Sequence, residues 1–165
     1  MPTEDRKYAD DLFRKLGREF LQAERDCRLH TRREARRQGR GAPADALLSI
    51  AAHADQVEPR IEQLLGNASV GVLAARFVAH SFSDLRYGLV DRLMQRERTY
   101  RATLLGIRHG LDAGYLLTEL ALRSQFATSH AFLEEALEVR ARMLAVAVQA
   151  LAWFAEHPRR AAQRS

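Results

Sequence analysis

A chain of 165 residues can bury about 70% of the surface its unfolded form exposes. Alanine, leucine and arginine dominate it, with only four prolines and nine glycines, which is a helical composition. The single cysteine, Cys27, excludes an internal disulfide, and the formal net charge of +5 rests on 24 arginines and two lysines. Met1 to Arg14 is charged, without an apolar leader or anchor, and the longest apolar run, Met143 to Ala155, is too short to span a bilayer. The expected setting is a reducing cytoplasm, with no membrane partner.

The first predicted helix runs from about Thr3, a capping residue followed by Glu4 and Asp5, to about Gln38, where Gly39 and Gly41 end it. Its apolar stripe reads Tyr8, Leu12, Leu16, Phe20, Ala23, Cys27, His30, alternating by three and four. Past His30 the stripe stops and arginines take over. Seven of them (25, 28, 32, 33, 36, 37, 40) face only Asp26 and Glu34 between Arg25 and Arg40, so this stretch holds a charge of +5, equal to that of the whole chain. A helix that outruns its core gains nothing from packing, so its last turns are expected to project as a solvated rod.

Pro43 suits the first turn of a second helix that reaches about Leu65, with Leu47, Ile50, His53 or Ala54, Val57, Ile61 and Leu64 on its face and a bend at Pro59. A third helix is expected from Ser69 to His109-Gly110, bending at Ser81 to Ser83, with the stripe Phe82, Leu85, Leu89, Leu93, Arg96, Tyr100, Leu104, Ile107. The fourth starts after Asp112, carries Tyr115, Glu119, Leu122, Phe126, His130, Leu133, Leu137, Arg140, Leu144, Val148 and Leu151, and stops at Pro158. A break is expected at Ser124 to Ser129. Short connections between four principal helices predict an all-α, antiparallel up-down bundle, one domain over 1–158 with a polar tail at 159–165.

Bundles that hold two metal ions place glutamates on two helices and Glu-x-x-His on the other two. No Glu-x-x-His occurs here, so a metal-free relative of the ferritin-like fold is the form such a reading takes. Cys27 and His30 lie three apart, and folding the second helix back brings His53 to their level, a thiolate and two imidazoles of the kind zinc accepts. Packing of a small hydrophobe and two hydrogen-bonded histidines explains the same residues. Arg25 with His30 and Arg123 with His130 match the spacing of helical ribonucleases, but a chain with this many arginines yields roughly two or three such matches by chance.

Arg96, Glu119, His130 and Arg140 interrupt apolar stripes, so each either lines a pocket or joins an ion pair, with Glu97 and Asp91 as available partners. No phosphate loop, nucleophile setting or paired cysteines occur, and no cofactor is expected. The sequence therefore points to an interaction or assembly module rather than an enzyme. Arg32, Arg33, Arg36, Arg37 and Arg40 are its expected binding residues, for a protein partner, a second copy, or a nucleic acid held non-specifically. A bundle enzyme or ligand-binding protein, with metal at Cys27, His30 and His53, is the alternative.

Overall fold

The computed structural model describes residues 3–66 and 95–164. Helix α1 spans Thr3–Gln38, α2 Ala42–Leu65, α3 Arg96–Arg123, α4 His130–Gln149, α5 Ala152–Glu156 and α6 Pro158–Ala161, with a 3-10 turn at Ala127–Ser129. The all-α expectation holds. Among the described residues the only extended pairing is an isolated bridge between Gln95 and Arg164, and no helix is long and apolar enough to cross a membrane.

Residue pairs across each interface fix the helix directions. Arg25 meets Glu58 and Glu62 while Arg32 meets Asp55, so α2 runs against α1. Thr99 bonds Glu34, and Gly110 sits against Ala23, so α3 also runs against α1. Tyr100 donates to the Ala147 carbonyl at 2.8 Å and Gly114 packs on Leu137, so α4 runs against α3. Arg60 stacks over Phe132 and His53 reaches Arg140, which sets α4 against α2 as well. Four antiparallel contacts close a square whose core includes Phe13, Phe20, Leu47, Ile50, Ile61, Tyr100, Leu117 and Leu133.

Because α2 and α3 both oppose α1, the last turn of α2 and the first turn of α3 lie at opposite ends of the bundle. Leu65 lies against Gly17 and Arg96 against Gln38, levels about 31 Å apart along α1 at 1.5 Å per residue. The expected cap at Ser69, bend at Ser81 to Ser83 and stripe Phe82 to Leu93 lie outside the described residues.

Several boundaries differ from the sequence reading. No helix ends at His109-Gly110: α3 passes through it, burying Tyr100, Leu104, Ile107, Leu111, Gly114, Leu117 and Ala121. Gly110 and Gly114 are close-packing positions there, for a Cβ at 110 would stand 3.4 Å from that of Ala23, and one at 114 would collide with Leu137 and come within 3.0 Å of Phe20. Restarting the periodicity after Gly110 put Tyr115, Glu119 and Leu122 on the core face, whereas all three are exposed. The expected break is present, as α3 ends at Arg123 and the chain turns through Ala127–Ser129. Helix α2 continues through Pro59 to Leu65. Pro158 opens the short α6 rather than ending all order, and the Arg96 amide donates to the Gln163 carbonyl at 3.0 Å.

The end of α1 is not a free rod. Thr31, Glu34, Ala35 and Gln38 are buried, continuing the core-facing arc with polar side chains. Glu34 accepts from Thr99 Oγ1 of α3 at 2.6 Å and Gln38 Nε2 donates to the Arg96 carbonyl at 2.9 Å, while Thr31 Oγ1 donates to the Cys27 carbonyl of α1 itself at 2.6 Å. Of the stripe read from sequence, Phe20 lies on that arc, Leu16 and Cys27 pack against its edge, and Tyr8 and Leu12 lie off it. Tyr8 is 75% exposed and Leu12 42%, while Ala9, Phe13 and Phe20 are buried.

Candidate functional site

Two polar assemblies sit within the bundle. The deeper one is centred on Arg140 of α4, which is 3% exposed and reaches between α1 and α2. Its Nη2 donates to Glu24 Oε2 at 2.6 Å, its Nη1 to Cys27 Sγ at 3.0 Å and its Nε to His53 Nδ1 at 3.1 Å. A guanidinium presents its donors in a fixed planar fork, and here three residues from two helices accept from it. That geometry requires His53 to leave Nδ1 unprotonated.

Burial and the Arg140 charge push His53 down to about 4, so it is neutral at pH 7. Burial pushes the Cys27 thiol up to about 11, which keeps it protonated and poorly nucleophilic. Burial also raises Glu24 above the ordinary carboxylate value, against the pull of Arg140 and with the nearby Glu58 charge adding to the rise. The cluster contains one cation and one carboxylate partner, with His53 neutral and Cys27 protonated at pH 7.

The His53 shift has a signed consequence. Between its ordinary value and about 4 the unfolded chain binds the proton and the folded chain does not, so stability falls as pH drops through that window. The contribution is about 3 kcal/mol from this group. In urea titrations, the wild type is expected to lose that much more than His53→Asn between pH 7 and pH 4, since asparagine offers Arg140 an acceptor that does not titrate. Parallel pH profiles for the two proteins would contradict it.

A ladder of ion pairs flanks this cluster along the α1/α2 hairpin. Arg25 Nε meets Glu58 at 2.9 Å and its Nη2 meets Glu62, Arg28 meets Glu58 at 3.1 Å, and Arg32 meets Asp55. Three of the seven arginines of the basic stretch are thus used to join helices. Arg37 pairs with the buried Glu34 at 3.4 Å. Of the expected binding residues, Arg33, Arg36 and Arg40 are exposed, while Arg32 and Arg37 are half-buried in these pairs.

The second assembly is a surface groove between α1 and α3, with a cavity volume of about 430 Å³. Its lining mixes small or apolar Ala23, Cys27, Ala102, Gly106 and Ile107 with polar Thr31, Thr99 and Thr103. Glu19 and Asp26 stand toward one end, and His30, Arg33, Glu34 and Arg37 toward the other. Among the described residues nothing lies within 4 Å of the place a Cβ would occupy on Gly106. The groove spans Glu19 to Arg37, about 27 Å along α1. It was missed because its lining reads as poor core rather than as surface.

The residues singled out for chemistry separate in space. Cys27 and His53 do meet, as their levels on the hairpin predict, but at the Arg140 guanidinium; His30 instead lines the groove. Among the described residues no group of three or more His, Cys, Asp or Glu is placed to hold a metal ion. Glu119 is exposed and pairs with Arg123 one turn on, His130 stands 3.8 Å from Glu134, and Arg96 opens α3 at the edge of the core. Glu97 pairs with Arg101, and Asp91 lies outside the described residues. Arg140 alone of the four is a buried ion pair, and its partner comes from α1 rather than from the adjoining hairpin.

No protein-family model, curated protein or solved structure matches this chain. Fold and site define it as an all-α bundle with an arginine-centred polar core and an open interhelical groove.

Proposed function

We propose that this chain is a non-enzymatic assembly module that docks a protein partner along the outer α1/α3 face. One observation carries the reading: among the described residues an open groove lies between α1 and α3, lined by Ala23, Cys27, Ala102, Gly106 and Ile107 together with Glu19, Asp26, Arg33 and Glu34. Contiguous apolar surface rimmed by charge marks a contact site. The buried polar groups argue the same way, since Arg140 and Glu34 spend their hydrogen bonds on neighbours inside the fold.

Arg33, Arg36 and Arg40 give the upper end an attraction for an acidic surface. Protein fits that surface better than nucleic acid, because Glu19, Asp26 and Glu34 line the same groove and would repel phosphates. A reducing cytoplasmic setting suits the free thiol of Cys27.

The test is the native size of the chain in gently lysed cells of its source. A complex larger than the 18.7 kDa monomer is expected. Gly106→Trp, which fills open space, and the pair Arg33→Gln/Arg36→Gln should return it to monomer size. The arginine pair is expected to change stability by less than about 0.5 kcal/mol, as exposed charges do. Arg37→Gln should cost more, about 1–3 kcal/mol, because it removes a partner from buried Glu34. A wild-type chain that migrates as monomer, or a complex indifferent to these variants, would overturn the proposal.

A further inference from the structure

The surplus charge of the chain collects at one end of the bundle, beyond the groove. The last turn of α1, the first turn of α3 and the turns after α4 meet there: Gln38 bonds the Arg96 carbonyl, Trp153 lies against Gly41, and the Arg96 amide donates to the Gln163 carbonyl. Arg36 and Arg40 of α1, Arg98 of α3, and Arg159 and Arg164 of the last turns are all exposed. Arg160 is exposed as well and stands 5.7 Å over the Trp153 ring, where it keeps its charge. Glu34 and Glu97 are already paired, with Arg37 and Arg101. Only Asp45 and Glu156 then oppose the six arginines, a surplus of four out of the formal net charge of +5. Residues 67–94 hold Arg76, Arg86 and Arg92 against Asp84 and Asp91, so their sum adds to the surplus.

This end has no apolar anchor. Among the described residues no exposed large apolar side chain lies on these three segments, and Leu48 of α2 and Val148 of α4 stand a turn or more in from the end. Trp153 is stacked on His157 at 4.2 Å. A protein contact is centred on apolar or aromatic side chains, whereas a phosphate backbone is held by charge alone.

We propose that this end of the bundle binds the phosphate backbone of duplex nucleic acid without reading its sequence. All six cations are guanidinium groups, which match phosphate oxygens with paired donors. A single strand would call for exposed rings on which to stack its bases. Glu19 and Asp26, which repel phosphates from the groove, lie about 15 Å or more down α1 from Arg36. That exceeds the screening length of about 8 Å at physiological salt. The surface is separate from the groove, so the inference stands apart from the reading of the α1/α3 face.

Fluorescence anisotropy of the purified full chain with a labelled DNA duplex of about 20 base pairs tests this. Micromolar binding is expected at about 50 mM salt, weakening about a hundredfold by about 150 mM, since neutralising about four phosphates gives a logarithmic salt slope of about −4. Two duplexes of unrelated sequence should bind within about twofold of each other. An RNA duplex of the same length, run in parallel, shows which duplex is held more tightly, and either order supports backbone recognition. Arg98→Gln/Arg159→Gln/Arg164→Gln should weaken binding about tenfold or more and flatten the slope by about two units. Lysine at the same three positions should keep affinity within about threefold of the wild type, because charge is what the backbone reads. Glutamine and lysine remove the guanidinium alike, so a structural loss would strike both variants. Lys15→Gln/Arg18→Gln, exposed toward the far end of α1, should change affinity less than about twofold. No binding at the lowest salt, an unchanged slope in the triple glutamine variant, or an equal loss from the Lys15/Arg18 variant overturns the proposal. Tighter binding of a single strand overturns it too, and tighter binding of polyglutamate would assign the surface to an acidic protein instead.

Discussion

Arg140→Met is expected to lower the unfolding free energy by about 3–5 kcal/mol, the cost of leaving a buried charge without its partner. Methionine keeps the unbranched stem and removes the guanidinium, so the loss reports on Glu24, Cys27 and His53 rather than on a cavity. Glu24 is 4% exposed and loses its cation. Replacing both members, with Glu24→Gln beside Arg140→Met, should recover a large part of that loss, because a neutral pair owes no charge desolvation. Urea melts at pH 7 measure all three proteins. A single variant within 1 kcal/mol of the wild type would mean that Arg140 reaches water and that the cluster is not closed.

The second large effect concerns the glycine face of α3. Leu137→Ala should cost about 2–5 kcal/mol, since Leu137 is 2% exposed and its side chain lies over Gly114. Gly114→Ala alone places a methyl group against Leu137 and Phe20, and crowding of about 1–3 kcal/mol outweighs the helix propensity gained. In the double variant the methyl group enters space that Leu137 vacates. The two losses should therefore combine to less than their sum, by 1 kcal/mol or more. Strict additivity would show that residue 114 does not pack on α4 as described.

These two sites also show where the sequence was readable. The face of α2 was legible throughout, for Leu47, Ile50, Ala54, Val57 and Ile61 are apolar, periodic and buried. Helix α1 carries two overlapping periodicities, and the more apolar one, Tyr8 to His30, runs from exposed Tyr8 and Leu12 through buried Phe20 to Ala23, Cys27 and His30 at the groove. The true arc is hard to see because it continues through Gly17, Glu24, Thr31, Glu34 and Gln38, which composition assigns to surface. Glycine misled for a related reason. Gly39 and Gly41 do take positive φ, at 79° and 130°, and end α1 as expected. Gly110 and Gly114 serve helix contact instead, and only the third dimension distinguishes the two uses.

The polar core was half-legible. Arg140 stood out as a charge on an apolar stripe, and Cys27 with His53 were placed together by the hairpin. Glu24 could not be assigned as the partner, since it lies 116 residues from Arg140 and the pairing depends on which helix faces α4. The basic stretch from Arg25 to Arg40 looked like free charge because its partners, Asp55, Glu58 and Glu62, belong to the next helix. Counting charge along the chain cannot reveal pairing across a hairpin.

The central claim, that the outer α1/α3 face is where this protein meets a partner, is tested most directly by photo-crosslinking in cells from a benzophenone side chain placed at position 106. Among the described residues the space above Gly106 is open to the probe, and the same probe at Leu48, 49% exposed on α2, serves as the control. The account predicts a discrete covalent protein adduct from position 106, diminished by Arg33→Gln/Arg36→Gln, and none from position 48. Equal labelling from both positions, or no protein adduct from position 106, would contradict it.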